Sequence, residues 1–308
     1  MTYIVQKFGG TSVGDIGRIE HVANIIASEV KKKNKVIAIV SAMSQETNRL
    51  VKLVKGTTSI YDGREYDGIV STGENVTAGL LSIKLQNIGI PARSWLGWQI
   101  PILTTDMHTD ARIQEINREN IERKFKEGMK VAVVAGFQGI SSENRITTLG
   151  RGGSDTTAVA ISATFGAERC DIFTDVEGVF TTDPRIVKNA RKLDVIAYEE
   201  MLELSSLGAK VLHTRSVELA MRYGVRLQVL SSFEEKNGTL VCREDKMLES
   251  KIISGISCSK EEAKITLTGV DDKPGVAAAI FGPLSESGIN VDMIIQNISE
   301  NNSTDLTF

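Results

Sequence analysis

The sequence predicts an α/β fold, a mainly parallel sheet sandwiched by helices, followed by a small α+β unit toward the C-terminal end. Three observations predict it. Short apolar, β-branched runs alternate with segments of helical period along most of the 308 residues. Glycine- and hydroxyl-rich stretches fall where those runs end, the place where open parallel sheets carry their chemistry. After a charged stretch at 244–251 the pattern changes to strand, turn, helix and strand.

Residues 3–8 read as a strand, 9–12 as a tight polar loop, and Val22, Ala23, Ile26 and Val30 as one face of the next helix. The β-branched run 35–40 is a second strand, and 48–53 begins a second helix. Ser71-Thr72-Gly73-Glu74 precedes another helical stretch that ends near Gly89. Buried runs at 131–135, 171–173 and 225–230 then alternate with helices over 155–165 and 209–222. This α/β domain spans 1–245, with a linker over 246–263. From 264 to 308 the reading is a strand at 265–270, the turn Asp271-Asp272-Lys273-Pro274-Gly275, a helix to Ser287 and a strand over 290–298. Residues 305–308 begin one more strand. A sheet ending there would leave apolar surface and an unpaired edge, the expectation being a truncated chain or a partner that completes the fold. No internal repeat or low-complexity segment stands out.

Composition narrows the class. With 41% hydrophobic residues the chain can bury a full core, and a formal charge of −3 gives no basic field for nucleic acid. The clearest basic run, Lys31 to Lys33 with Lys35, suits a solvated helix end. Cys170, Cys242 and Cys258 are odd in number and far apart, which indicates neither a disulfide framework nor a zinc site and fits a reducing cytoplasm. The start of the chain has no basic leader or cleavage site, and no apolar run approaches the ~20 residues of a membrane span. The expectation is a cytoplasmic protein with no membrane or nucleic-acid partner.

Three stretches carry phosphate-type chemistry. Lys7-Phe8-Gly9-Gly10-Thr11-Ser12 puts a cation, two glycines and two hydroxyls at one strand tip before a helix, which suits either an anion cradle or a plain strand-to-helix turn. Leu149-Gly150-Arg151-Gly152-Gly153-Ser154-Asp155 again leads into a helix, with Ser154 or Asp155 placed as its cap. A guanidinium among glycines suits bidentate recognition of a carboxylate, which a mere cap does not need, and Asp155 has the alternative of orienting a lysine. The run from Phe173 through Thr174, Asp175, Phe180 and Asp183 to Arg185 supplies hydroxyls and carboxylates for ribose and base, although Asp183-Pro184 is also a turn signature. No Gly-Lys dipeptide occurs, hence no Walker A loop, and the His-Arg-Asp, Asp-Phe-Gly and Gly-x-Gly-x-x-Gly motifs are absent too.

In their order and number, these blocks together with Glu74 in Ser71-Thr72-Gly73-Glu74 resemble the aspartate kinase branch of the amino-acid kinase family. The segment from Lys264 onward resembles the first ACT domain, a ferredoxin-like module, of lysine- or threonine-sensitive members, with Asp272-Lys273-Pro274-Gly275 as its ligand loop. The resemblance implies an amino-acid kinase fold in which Lys7, Gly9, Gly10 and Ser12 hold the transferring phosphoryl group, Asp155 orients Lys7, and Lys210 is a second phosphate-facing lysine. Thr174, Asp175, Phe180, Asp183 and Arg185 would line the ATP site, with Phe180 standing where many relatives carry Tyr. Arg151 and Ser154 would hold the carboxylate of L-aspartate and Thr47 and Glu74 its amino end, with Ser41, Gly152 and Gly153 also in the substrate site. The spacing of Glu74 from Ser71 also makes a capping box. Asp272, Pro274, Gly275, Ala277, Asp292 and Gln296 would form the effector site.

The implied reaction is in-line attack of an already ionised carboxylate on the γ-phosphorus of ATP, with Mg²⁺ brought by the nucleotide and no dedicated protein metal site. Lysine or threonine would act as effector, and ACT regions would pair in a homodimer or with a regulatory subunit. Because the module stops at Phe308, short of its second helix and last strand, impaired feedback is expected unless another chain supplies the rest. Two rivals remain. Sister kinases act on acetylglutamate, glutamate, carbamate or UMP, of which the acetylated and nucleotide substrates need no carboxylate partner for an ammonium. A non-catalytic amino-acid sensor has no physical reason to keep Lys7, Arg151, Asp155 and Lys210 converging.

Overall fold

The computed structural model describes residues 2–209, 211–243, 255–257, 263–287, 289, 291, 293–298 and 303–308. The chain forms two compact units, Met1–Cys258 and Ser259–Phe308.

The first unit runs β1 (Tyr3–Phe8), α1 (Ile16–Lys31), β2 (Lys35–Val40), α2 (Glu46–Thr57), α3 (Gly63–Val70), α4 (Thr72–Asn87), β3 (Ala92–Trp95), β4 (Ile102–Thr104), β5 (Ile113–Ile116) and α5 (Glu119–Lys126). It continues with β6 (Val131–Ala135), β7 (Gln138–Ile140), β8 (Ile146–Thr148), α6 (Gly153–Phe165), β9 (Arg169–Thr174), β10 (Val195–Ala197), α7 (Tyr198–Ser206), α8 (Thr214–Tyr223), β11 (Leu227–Ser231) and β12 (Thr239–Cys242). The main sheet has the order β10-β12-β11-β9-β1-β2-β6-β3, and every pairing in it is parallel except β11 with β12. A second sheet, β5-β4-β7-β8, stands beside it.

Both faces of the main sheet are covered, which explains the unbroken apolar runs of its central strands. Along β2 and β6 the side chains alternate: Ile37, Ile39, Ala132 and Val134 pack with α5, α6, α7 and α8, whereas Val36, Ala38, Val40, Val131, Val133 and Ala135 pack with α1 and α4. The same alternation along β1 sends Val5, and two residues on Lys7, to the α6 face.

The strands expected at 3–8, 35–40 and 131–135 form with those limits. Sequence reasoning gave no sign of α3, α7, β10 or the small sheet, whose strands are only three or four residues long. The helix expected over 209–222 begins at Thr214, because Ala209 N–H closes back onto Leu204 O as the end of α7. Residues 255–257, expected within the linker, belong to the first unit: Ile256 N–H donates to Thr181 O at 2.7 Å and Ser257 Oγ to Leu207 O at 2.7 Å.

The second unit comprises β13 (Thr266–Asp271), α9 (Val276–Glu286), β14 (Ile295–Ile298) and β15 (Ser303–Thr307), its three strands forming a sheet of order β13-β15-β14. The last strand, β15, is the central one, antiparallel to both neighbours, with Thr304 and Leu306 buried, and β13 and β14 are the edges of this sheet. Among the described residues no helix is long and apolar enough to cross a membrane.

Candidate active site

A cleft of about 540 Å³ opens at the C-terminal ends of β9, β1, β2 and β6, four adjacent parallel strands. Its wall is built from the loops at those strand ends: Gly9 to Thr11 after β1, Ser41 to Gln45 after β2, Phe137 after β6, and Thr174 with Asp175 at the end of β9. Lys7, Thr47, Glu74 and Gly150 to Asp155 complete it.

Lys7 leaves β1 toward α6, and its Nζ stands 2.6 Å from Asp155 Oδ1, both side chains being 12% exposed. The contact is close but off the hydrogen-bond axis, so it is chiefly electrostatic. Expected as a possible cap, Asp155 lies inside α6, as does Ser154. The N-cap is Gly152, and no side chain caps that helix. Its first turn therefore faces the cleft with backbone N–H groups and the positive end of the helix dipole, an arrangement that favours an anion.

The first loop differs from its sequence reading in a related way. Gly9 and Gly10 take no positive φ, and Gly9 N–H donates to Phe173 O at 3.3 Å. Residues 10–14 intervene before α1, whose N-terminus is already capped by Asp15 accepting from Arg18 N–H at 2.8 Å. Of α1 and α6, it is α6 that turns an N-terminus with no side-chain cap to this cleft.

Also on the cleft wall, Glu74 is 3% exposed. Its Oε1 accepts from Ala42 N–H at 3.0 Å, while Oε2 is buried without a hydrogen-bond partner among the described residues. Burial pushes its pKa from 4.5 up to about 7, against the opposing pull of that backbone donor. The capping box that the spacing allows does not form: Ser71 is helical, its side chain donates to Gly68 O, and α3 runs through it into α4. A buried carboxylate with one free oxygen is suited to an incoming ammonium.

The turn from Gly150 to Gly153 lines the same cleft, with Arg151 exposed. Gly152 sits at φ 72°, and a Cβ there would stand 2.3 Å from His213 Cγ, so this position admits only glycine.

Of the residues implied by resemblance, Lys7, Gly9, Gly10, Ser41, Thr47, Glu74, Arg151, Gly152, Gly153, Ser154, Asp155, Thr174 and Asp175 line one cleft. Ser12 is fully buried beside it, donating to Ser232 Oγ at 2.8 Å. Phe180 bridges to Lys192, and Arg185 pairs with Asp183 at 2.8 Å while 83% exposed. These residues are not on the described wall. Lys210 and Asp292 lie outside the described residues. Sequence reasoning missed Ala42, Met43, Ser44, Gln45, Asn48 and Phe137 on the wall. The available signal was position, since each comes after a strand that neighbours β1 or the strand next to it. It also missed Ser232, which accepts from both Ser12 and Arg18 and donates to Thr174 O.

In the second unit Asp272, Pro274, Gly275, Ala277 and Gln296 line a depression of about 370 Å³ between the start of α9 and the sheet. Gly275 is the N-cap of α9.

Fold and cleft together define an α/β protein whose cleft gathers a lysine–aspartate pair, a helix end with no side-chain cap, an exposed arginine and a buried glutamate. Comparison with known proteins refines that class. Residues 2–231 match the amino acid kinase family and residues 264–308 the ACT domain. The aspartate kinase of Pseudomonas putida is 53% identical over 309 residues, covering 100% of this chain and 75% of that one. An aspartokinase of Geobacillus stearothermophilus is 50% identical over 308 residues with the same coverage. Among solved structures, an aspartate kinase from Synechocystis superposes with a TM-score of 0.70 at 43% identity, covering 99% of this chain and 52% of that one. Aspartokinase III of E. coli, in complex with aspartate and ADP, gives a TM-score of 0.74 at 26% identity over 99% of this chain and 78% of its own. The chain belongs to the amino acid kinase family, in its aspartate kinase branch.

Proposed function

We propose that the chain transfers the γ-phosphoryl group of ATP to the side-chain carboxylate of L-aspartate, giving 4-phospho-L-aspartate and ADP, the opening step toward lysine, threonine and methionine. The observation that carries this reading is the gathering, in one cleft, of the Lys7–Asp155 pair, Arg151 and a buried Glu74 with a free oxygen.

Each group has a role in that reaction. Glu74 takes the α-ammonium, Arg151 and Ser154 take a carboxylate, and the remaining carboxylate is left to attack. That nucleophile is ionised at neutral pH, so no base is needed. Lys7, held by Asp155, and the first turn of α6 neutralise charge on the transferring oxygens, and Lys210 joins them by resemblance. Thr174 and Asp175 stand on the nucleotide side. Among the described residues no cluster of three or more His, Cys, Asp or Glu forms a metal cage. An ion that arrives with ATP would meet Asp155 and Asp175, carboxylates of the cleft wall. Mg²⁺ bound to the nucleotide would spread the negative charge of its phosphates.

A catalytic domain over 1–245 and an ACT region over 264–308 that takes lysine or threonine and pairs between subunits complete the proposal. Lysine is bound with aspartate in another structure of E. coli aspartokinase III, which superposes with a TM-score of 0.75. ADP release from Mg-ATP should require L-aspartate and remain at background with N-acetylglutamate, glutamate, carbamate or UMP. Turnover with one of those and not with aspartate would assign the chain to a sister activity.

A further inference from the structure

The turn that carries Arg151 is held from behind by a residue outside the cleft. Arg215, in the first turn of α8, has a side chain only 14% exposed. Its Nη1 donates to Leu149 O and its Nη2 to Ala111 O, each at 2.6 Å, and Nη1 also lies 3.2 Å from Asp110 Oδ1. Leu149 immediately precedes Gly150-Arg151-Gly152-Gly153. Ala111 is on the neighbouring segment, tied to the same place by its own N–H donating to Thr148 O at 2.9 Å. One planar guanidinium therefore grips both backbones where they meet, just before the turn.

Neighbouring groups reinforce the grip. His213, two residues before Arg215, packs against the bare face of Gly152. From α3, the fully buried Asp67 accepts from Thr148 Oγ1 at 2.5 Å and from Thr109 N–H, and it lies 2.7 Å from His108 Nδ1. The same two segments, 108–111 and 148–149, are thus fixed from α3 on one side and α8 on the other. Burial of a guanidinium against two neutral carbonyls opposes its ionised form, and Arg215 is held below the usual arginine range by that desolvation first and by Arg112 second. Its return is geometric. A fork with two fixed N–H directions sets the peptide plane at Leu149 and hence the direction in which Arg151 leaves the turn, which a lysine with one rotating ammonium cannot do.

We infer that Arg215 is a positioning residue for the aspartate site, setting the backbone from which Arg151 and Ser154 reach the substrate carboxylate. This rests on the reading that those two residues bind aspartate. The test is steady-state kinetics of the full chain against both substrates for Arg215→Lys, Arg215→Ala and Arg151→Ala, with thermal unfolding of each. Arg215→Lys keeps charge and approximate length and decides the matter where the alanine variant fails to fold. Both Arg215 variants should raise KM for aspartate at least ~10-fold, about the loss of one charge-assisted hydrogen bond, with KM for ATP within about twofold of wild type. Ethylguanidinium should lower the aspartate KM of Arg215→Ala saturably. Loss of folded protein or of kcat with an unchanged aspartate KM would overturn the inference, as would an equal rise in both KM values. An unchanged aspartate KM in Arg151→Ala would instead sink the reading on which it rests.

Discussion

Replacing Glu74 by Gln separates binding from folding in opposite directions. In the free protein the buried carboxylate titrates near 7, so about nine-tenths is ionised at pH 8 and about one-tenth at pH 6. Only the ionised form attracts an ammonium strongly. The KM for aspartate of the wild-type protein should therefore rise about tenfold between pH 8 and pH 6. Glu74→Gln keeps an acceptor for Ala42 N–H but loses the charge. Its aspartate KM should be ~10- to ~150-fold higher at pH 8, the ~1.5–3 kcal/mol of a hydrogen bond to a charged group, and should no longer carry that pH dependence. Stability moves the other way. The folded pKa is raised, so the contribution of this group is full below about 4.5 and is lost as pH rises through 7. Above pH 7 the ionised side chain costs about 3 kcal/mol of stability, which the neutral amide does not. Aspartate titrations from pH 6 to 9 and thermal unfolding at pH 8 read both effects. A Gln variant with wild-type aspartate KM and an intact pH slope would refute the ammonium-site reasoning.

Further expectations concern the phosphate side, the turn, the far end of the sheet and the second unit. Lys7→Ala should lower kcat at least ~100-fold, the scale of one preorganised electrostatic donor; the pair Lys7→Met with Asp155→Asn should regain folding stability but not turnover, and a double variant that turns over near the wild-type rate would remove Lys7 from the chemistry. Gly152→Ala should lower Tm by at least ~3 °C, because φ 72° and the ring of His213 both oppose a Cβ; an unchanged Tm would mean that the turn relaxes freely. Arg169 bridges the buried Asp171, at 2.5 Å, and Glu29, at 3.3 Å, so Arg169→Met should destabilise by about 3–5 kcal/mol in urea unfolding, and a loss below about 1 kcal/mol would show that water already compensates the two carboxylates. Lysine or threonine at 100 times Kd should stabilise the protein by about 2.7 kcal/mol through the depression around Asp272, and a thermal shift that survives Asp272→Ala would exclude that depression as its source.

How much of this was readable in advance depends on the range of the forces involved. β1, β2 and β6 were legible to the residue because strands buried on both faces need unbroken apolar runs. The small sheet was not, since three-residue strands such as Ile102–Thr104 are defined by partners far along the chain and leave no period of their own. Lys7, Glu74, Arg151 and Asp155 could be chosen from residue type and local motif, and the cleft does bring them together. Their local roles stood between two readings: Asp155 was a cap or the partner of a lysine, and it meets Lys7; Glu74 was half of a capping box or the holder of an amino group, and it reaches Ala42 with one oxygen. Long-range partners such as Arg215 with Leu149, 66 residues away, had no sequence signal at all.

The most direct measurement is hydroxylamine trapping of the acyl phosphate formed from Mg-ATP, with L-aspartate beside N-acetylglutamate, glutamate and carbamate. Aspartyl hydroxamate should form with aspartate alone and in step with ADP release, and it should fall at least ~100-fold in Lys7→Ala. Hydroxamate from another acid and none from aspartate, or ADP release from aspartate with no hydroxamate, would contradict transfer to the aspartate carboxylate in this cleft.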